Sequence, residues 1–118
     1  MERVSIIKHK GVSIAFLDAN TVIDIDEFCR YLVDLTNLAI DQNINLIMID
    51  VENAFMAPKV RQTTKRESDR AKAHFGRIHT AISGVKGLQR VLINLINKNE
   101  YFAKSLDDAK DWLISKNI

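Results

Sequence analysis

The residues with chemistry to offer are few and scattered: the carboxylates Asp50 and Glu52, the histidines His9, His74 and His79, the lone Cys29, and Gly84 and Gly87 with Lys86 between them. Asp50 and Glu52 follow the apolar run Leu46-Ile47-Met48-Ile49. That is where an open α/β sheet collects ligands, and paired carboxylates there could do acid-base or metal work. Only Asn53 accompanies them, with no histidine or further carboxylate, so a capping or loop role accounts for them better. His74 and His79 stand five residues apart across a glycine-containing turn, which is not the i, i+4 spacing of a helical zinc pair. Cys29 has no activating base in sight and reads as a small hydrophobe. The Gly-x-Ser-x-Gly elbow of a hydrolase is absent. The chain is therefore expected to be no enzyme, with no catalytic residue, metal or cofactor. Gly84-Val85-Lys86-Gly87 could hold an anion, because helix amides and the charges of Lys86 and Arg90 would meet there. Turn geometry and close helix packing explain the two glycines at least as well.

The elements that would position these residues follow from periodicity. Val4-Ser5-Ile6-Ile7 and Val12 to Leu17 read as two short strands joined by Lys8-His9-Lys10-Gly11, a β-hairpin whose glycine supplies a positive φ. Ile25, Phe28, Cys29, Leu32, Leu35, Ala39 and Ile40 recur at helical spacing and predict an amphipathic helix over 25–42, its first turn acidic through Asp24, Asp26 and Glu27. Leu46 to Ile49 are apolar on both faces of a strand, as expected for the centre of a mostly parallel sheet. Pro58 opens a second helix over 58–75, which Gly76 closes. A strand over 78–82, a third helix marked by Leu88, Val91, Leu92, Leu95 and Ile96, and a short strand at Tyr101-Phe102 come next. Ser105 with Asp108 resembles a capping box before a last helix that should bury Leu106, Ala109, Trp112 and Leu113. The order β-β-α-β-α-β-α-β-α predicts one α/β domain over 1–118: a mixed sheet, antiparallel at its first hairpin, flanked by about four helices.

Charge is divided along the chain. Residues 56–77 carry seven Lys or Arg against two acids, or +5, whereas residues 1–55 carry four against nine, or −5. Lys59, Arg61, Lys65, Arg66 and Arg70 on the second helix could dock an acidic partner, or pair with the acidic first helix of a second copy in a homodimer. A solvated face is the other reading. That helix shows only Val60, Ala71 and Phe75 as clear apolar anchors, with Thr64 and Ser68 on the same stripe, so it is expected to be mobile or steadied by a partner. No aromatic residue is interleaved in the basic run before Phe75, which argues against a nucleic-acid platform.

Bulk composition agrees with a soluble domain: 118 residues, 47% hydrophobic, 27% charged, net charge +2. A single cysteine excludes an internal disulfide and a thiolate-rich metal cluster and fits a reducing compartment. The first residues lack a signal-peptide core, and no stretch nears the roughly 18 apolar residues of a membrane span, so a cytoplasmic location is expected.

The segment Ala81-Ile82-Ser83-Gly84-Val85-Lys86-Gly87-Leu88-Gln89-Arg90-Val91-Leu92-Ile93-Asn94, then Tyr101-Phe102, then Leu106-Asp107-Asp108-Ala109-Lys110-Asp111-Trp112-Leu113, resembles the SpoIIAA-like family of small bacterial proteins. Those belong to the broader group of sulfate-transporter and anti-sigma-factor-antagonist (STAS) domains, with a looser likeness to lipid-binding CRAL-TRIO domains. The resemblance implies a small mixed sheet flanked by helices and a non-enzymatic regulatory role. In the better-known relatives a serine at the start of the helix after the central strand is phosphorylated, and the added charge alters partner binding. Asp50-Val51-Glu52-Asn53-Ala54-Phe55-Met56-Ala57 contains neither serine nor threonine, so that switch does not carry over. Phe55 and Met56 make this loop apolar, as core closure, a protein contact or the mouth of a lipid pocket would require. A protein-binding module, self-associating or with a separate partner, is the leading expectation. The alternative is a carrier of a small apolar or anionic ligand near Asp50, Phe55, Met56, Gly84, Lys86 and Gly87.

Overall fold

The computed structural model describes residues 3–54, 57–85 and 100–117. They form a five-stranded sheet in the order β1 (Val4–His9), β2 (Val12–Asp18), β3 (Leu46–Asp50), β4 (His79–Ser83) and β5 (Tyr101–Ala103). β1 pairs with β2 antiparallel, and each later neighbour is parallel, so the sheet is mixed as expected. Three helices are described: α1 (Ile25–Asp41), α2 (Pro58–Phe75) and α3 (Leu106–Ser115). The helix expected over 88–96 lies outside the described residues, as do Phe55, Met56, Lys86 and Gly87.

Every residue of β3 is buried, which is what a strand apolar on both faces requires at the middle of a covered sheet. Alternation then sorts the core. Ala15, Leu17, Ile47, Ile49 and Ile82 face Phe28, Leu32, Leu35 and Ala39 of α1 and Val60 and Ala71 of α2. Ile14, Leu46, Met48, Ala81 and Ala103 face Ala109 and Leu113 of α3 on the other side.

Local signals set the element ends. Asp24 caps α1 by accepting from the Glu27 amide at 2.9 Å. The Ser105 hydroxyl accepts from the Asp108 amide at 3.0 Å, and the Asp108 carboxylate accepts from the Lys104 amide at 2.9 Å, a capping box displaced by one residue. Gly76, at φ 78°, ends α2 with its amide on the Lys72 carbonyl at 2.7 Å. Three details differ from the sequence reading. β4 is one residue later than 78–82, because His79 is the residue paired with Leu46. Leu106, expected to be buried, is 40% exposed at the first position of α3, where Ala109 and Leu113 are the residues that bury. The buried stripe of α2 is Val60, Thr63, Thr64, Glu67 and Ala71, wider than its apolar residues alone, and it lies against α1.

Candidate functional site

Three places bring polar groups together: the carboxyl end of the sheet, the outer face of α2, and a cleft at the amino end. At the carboxyl end, register aligns Asp18 with Asp50 and Asp50 with Ser83. The buried Asp50 carboxylate accepts from the Ser83 hydroxyl at 3.1 Å and from the Glu52 amide at 3.3 Å, both through Oδ1. Burial pushes its pKa upward, and the Asp18 and Glu52 carboxylates add to this, while the two hydrogen bonds act in the opposite sense. One carboxylate thereby clamps its own exit turn. Asp18 does the same one strand away, accepting from the Asn20 amide at 3.1 Å.

Backbone bonds then carry the sheet beyond its strands. The Ala19 amide donates to the Asp50 carbonyl, Thr21 to Glu52, and Val51 to Ser83. Arg3 donates to the carbonyls of Asp18 and Asn20 at 3.3 and 2.7 Å. Gly84 passes so close to the 51–54 loop that a Cβ would stand 2.5 Å from the Glu52 nitrogen. The result is a laced pair of loops, 19–24 and 51–54. Thr21 and Asn53 hold left-handed conformations in it (φ 66° and 59°), a strained state for a β-branched threonine. On the first loop Val22 is buried while Ile23 is 77% exposed. Neither the strain nor the exposure of Ile23 was read from the sequence.

The basic residues of α2 meet the acidic helix within the same chain. Lys59 Nζ lies 2.7 Å from Asp26 Oδ1 on α1, and that shared hydrogen bond lowers the pKa of Asp26 and raises that of Lys59. Arg70 donates through Nη2 to Glu67 at 2.6 Å on its own helix and to the side-chain oxygen of Asn37 on α1 at 2.9 Å. Lys65 pairs with Asp69 at 2.8 Å, and Arg66 stands 3.5 Å from Glu67. Arg61 is half-buried. One of the basic residues that suggested docking between copies, Lys59, is thus paired with α1 inside the chain. Cys29 sits at the same helix contact, accepting from the Thr63 hydroxyl at 3.3 Å, in keeping with its reading as a packed thiol.

The third place has no counterpart in the sequence reading. The last turns of α2, the approach to β4, Glu100 before β5 and the end of α3 enclose a cleft of about 370 Å³. Lys72, Arg77, His79 and Lys116 border it, with Trp112 as an aromatic wall. Trp112 stacks on Tyr101 at 4.7 Å between ring centres, and Lys116 Nζ lies 5.3 Å from its ring. Burial holds the His79 imidazole below its usual pKa, helped by the cations of Arg77 and Lys116. Burial pushes the Glu100 carboxyl up to about 8, so it is largely protonated at neutral pH. No role was assigned to Glu100 from the sequence, where it stands between the helix marked by Leu88 to Ile96 and the strand at Tyr101-Phe102.

Among the described residues no three of His, Cys, Asp and Glu converge as a metal set, and no helix is long and apolar enough to cross a membrane. No protein-family model matches the chain, and no curated protein matches it.

Proposed function

We propose that this chain is a non-catalytic, regulatory protein-binding module of STAS-like fold, and that it docks through the loops at the carboxyl end of its sheet, a second copy of the chain being the first partner. The observation that carries this reading is Ile23, held 77% exposed on loops that the Ala19, Thr21 and Arg3 hydrogen bonds tie down. A rigid loop presenting one large apolar side chain loses little conformational entropy on docking. An apolar partner surface suits the exposed Ile23. Asp50 is engaged with Ser83 and Glu52, which favours a supporting role over a catalytic one.

Light scattering between about 50 and 500 mM salt tests the reading, because exposed charge pairing is strongly screened over that range. The expected result is a mass near twice 13.4 kDa that holds at high salt and falls to one chain in Ile23→Lys. A monomer at every salt concentration overturns self-association, and a dimer that dissociates with salt moves the interface to the charged helices. Turnover of a small molecule that is abolished in Asp50→Ala would make the protein an enzyme.

The alternative, a carrier of a small apolar or anionic ligand, gains support from the cleft at the opposite end of the sheet.

A further inference from the structure

We propose that the cleft at the amino end of β4 binds a small organic anion, a carboxylate or phosphate head among Lys72, Arg77 and Lys116 with an aryl or short apolar group against Trp112. This goes beyond the docking role and is independent of it, since the cleft and Ile23 lie at opposite ends of the sheet. The volume, about 370 Å³, is within the range of small-molecule sites. Four structural segments supply its walls: the end of α2, the approach to β4, the residue before β5 and the end of α3.

The charge balance selects the ligand's sign. Lys72, Arg77 and Lys116 bring three positive charges. The carbonyl ends of α2 and α3, which both border the cleft, oppose them with about half a negative charge each. Asp69 on the rim is already paired with Lys65 at 2.8 Å. Glu100, held largely protonated by burial, adds little negative charge to the cleft wall. The hydroxyls of Ser68 and Thr80 line the same space. Arg77 offers the planar fork that matches carboxylate and phosphate oxygens. Trp112, edged by His79 at 6.1 Å and stacked on Tyr101, gives an organic tail a fixed apolar wall.

Trp112 is the only tryptophan of the chain, so its fluorescence reports directly on the cleft. The full chain is titrated with phenyl phosphate and with benzoate at constant ionic strength, with inorganic phosphate and phenol as the separated halves. The expected outcome is a saturable emission change with an aryl anion, at lower concentration than with either half. In Arg77→Ala and in Lys72→Ala its midpoint should rise by about tenfold, the worth of one charge-assisted hydrogen bond. Both side chains are on exposed residues, and an unchanged circular dichroism spectrum shows that the variants are folded. The two arms tell a carboxylate from a phosphate preference. A response that never saturates up to about 10 mM, or midpoints that both substitutions leave unmoved, overturns the site. Neither result bears on the oligomeric state, so the two proposals fail separately.

Discussion

Gly84 and Gly11 share a left-handed backbone, at φ 84° and 79°, yet they are not equivalent residues. A Cβ at Gly11 meets nothing within 4 Å, whereas at Gly84 it stands 2.5 Å from the Glu52 nitrogen. Gly11→Ala should therefore cost about 1 kcal/mol, for conformation alone. Gly84→Ala should cost about 2–4 kcal/mol, since backbone must also move. Urea denaturation of both variants checks the difference, and equal losses would mean that the contact with Glu52 relaxes freely. Glu100 makes the second residue-scale prediction. Its pKa rises from an ordinary 4.5 to about 8 on folding, so between those values the unfolded chain has released a proton that the folded chain keeps. Raising the pH through that window favours unfolding, by on the order of a few kcal/mol in all, and lowering it restores the stability. Glu100→Gln stays neutral, so its stability should lack this decline and exceed the wild type's near pH 8. Thermal melts of the two proteins from pH 5 to 9 test it; parallel curves would show that Glu100 is ionised in the fold.

At the scale of elements, α2 is the clearest case of a helix whose anchoring its apolar residues understate. Val60 and Ala71 alone make a thin stripe, but Thr63, Thr64 and Glu67 fill it between them. Thr64 can be buried because its hydroxyl donates to the Val60 carbonyl at 2.8 Å. Glu67 can be buried because Arg70 covers it and reaches on to Asn37 of α1. Arg70→Ala should lower stability by about 1–3 kcal/mol, since it strips a partner from a buried carboxylate and a tie from the helix pair. Lys65→Ala, which removes only an exposed pair within α2, should leave the melting temperature near that of the wild type. Comparable losses in both variants would mean that the α1–α2 tie contributes nothing of its own. The ends of these helices were legible beforehand, because Asp24, Pro58, Gly76 and Ser105 act through their nearest neighbours in sequence.

For the whole molecule, the opposed charges of residues 1–55 and 56–77 suggested a contact between copies. The fold lays α1 beside α2, and Lys59–Asp26 draws on that complementarity inside one chain, with Arg70 also reaching the neutral Asn37. The dimer proposed here should therefore resist salt, which is the opposite of what charge pairing between copies would give. The molecule presents two unlike ends. Among the described residues its carboxyl end is laced around Asp50 and offers Ile23 outward, while its amino end holds a basic and aromatic cleft.

What could be read from the amino acids was whatever depends on near neighbours or on burial of a whole segment. The all-apolar Leu46–Ile49 placed β3 at the centre, the 3.6-residue spacing of Ile25 to Ile40 placed α1, and Lys10-Gly11 placed the hairpin. Asp50 was correctly located at a strand's end, but its engagement with Ser83 needed β4 to arrive alongside, 33 residues later. The cleft is more distant still from any sequence signal. Ser68, Arg77, Glu100 and Trp112 become neighbours only after β4 and β5 pair and α3 folds across the opposite face. Burial of Glu100 and exposure of Ile23 are likewise properties of the packed whole, because local pattern records which residues are apolar and tertiary packing decides which of them water reaches.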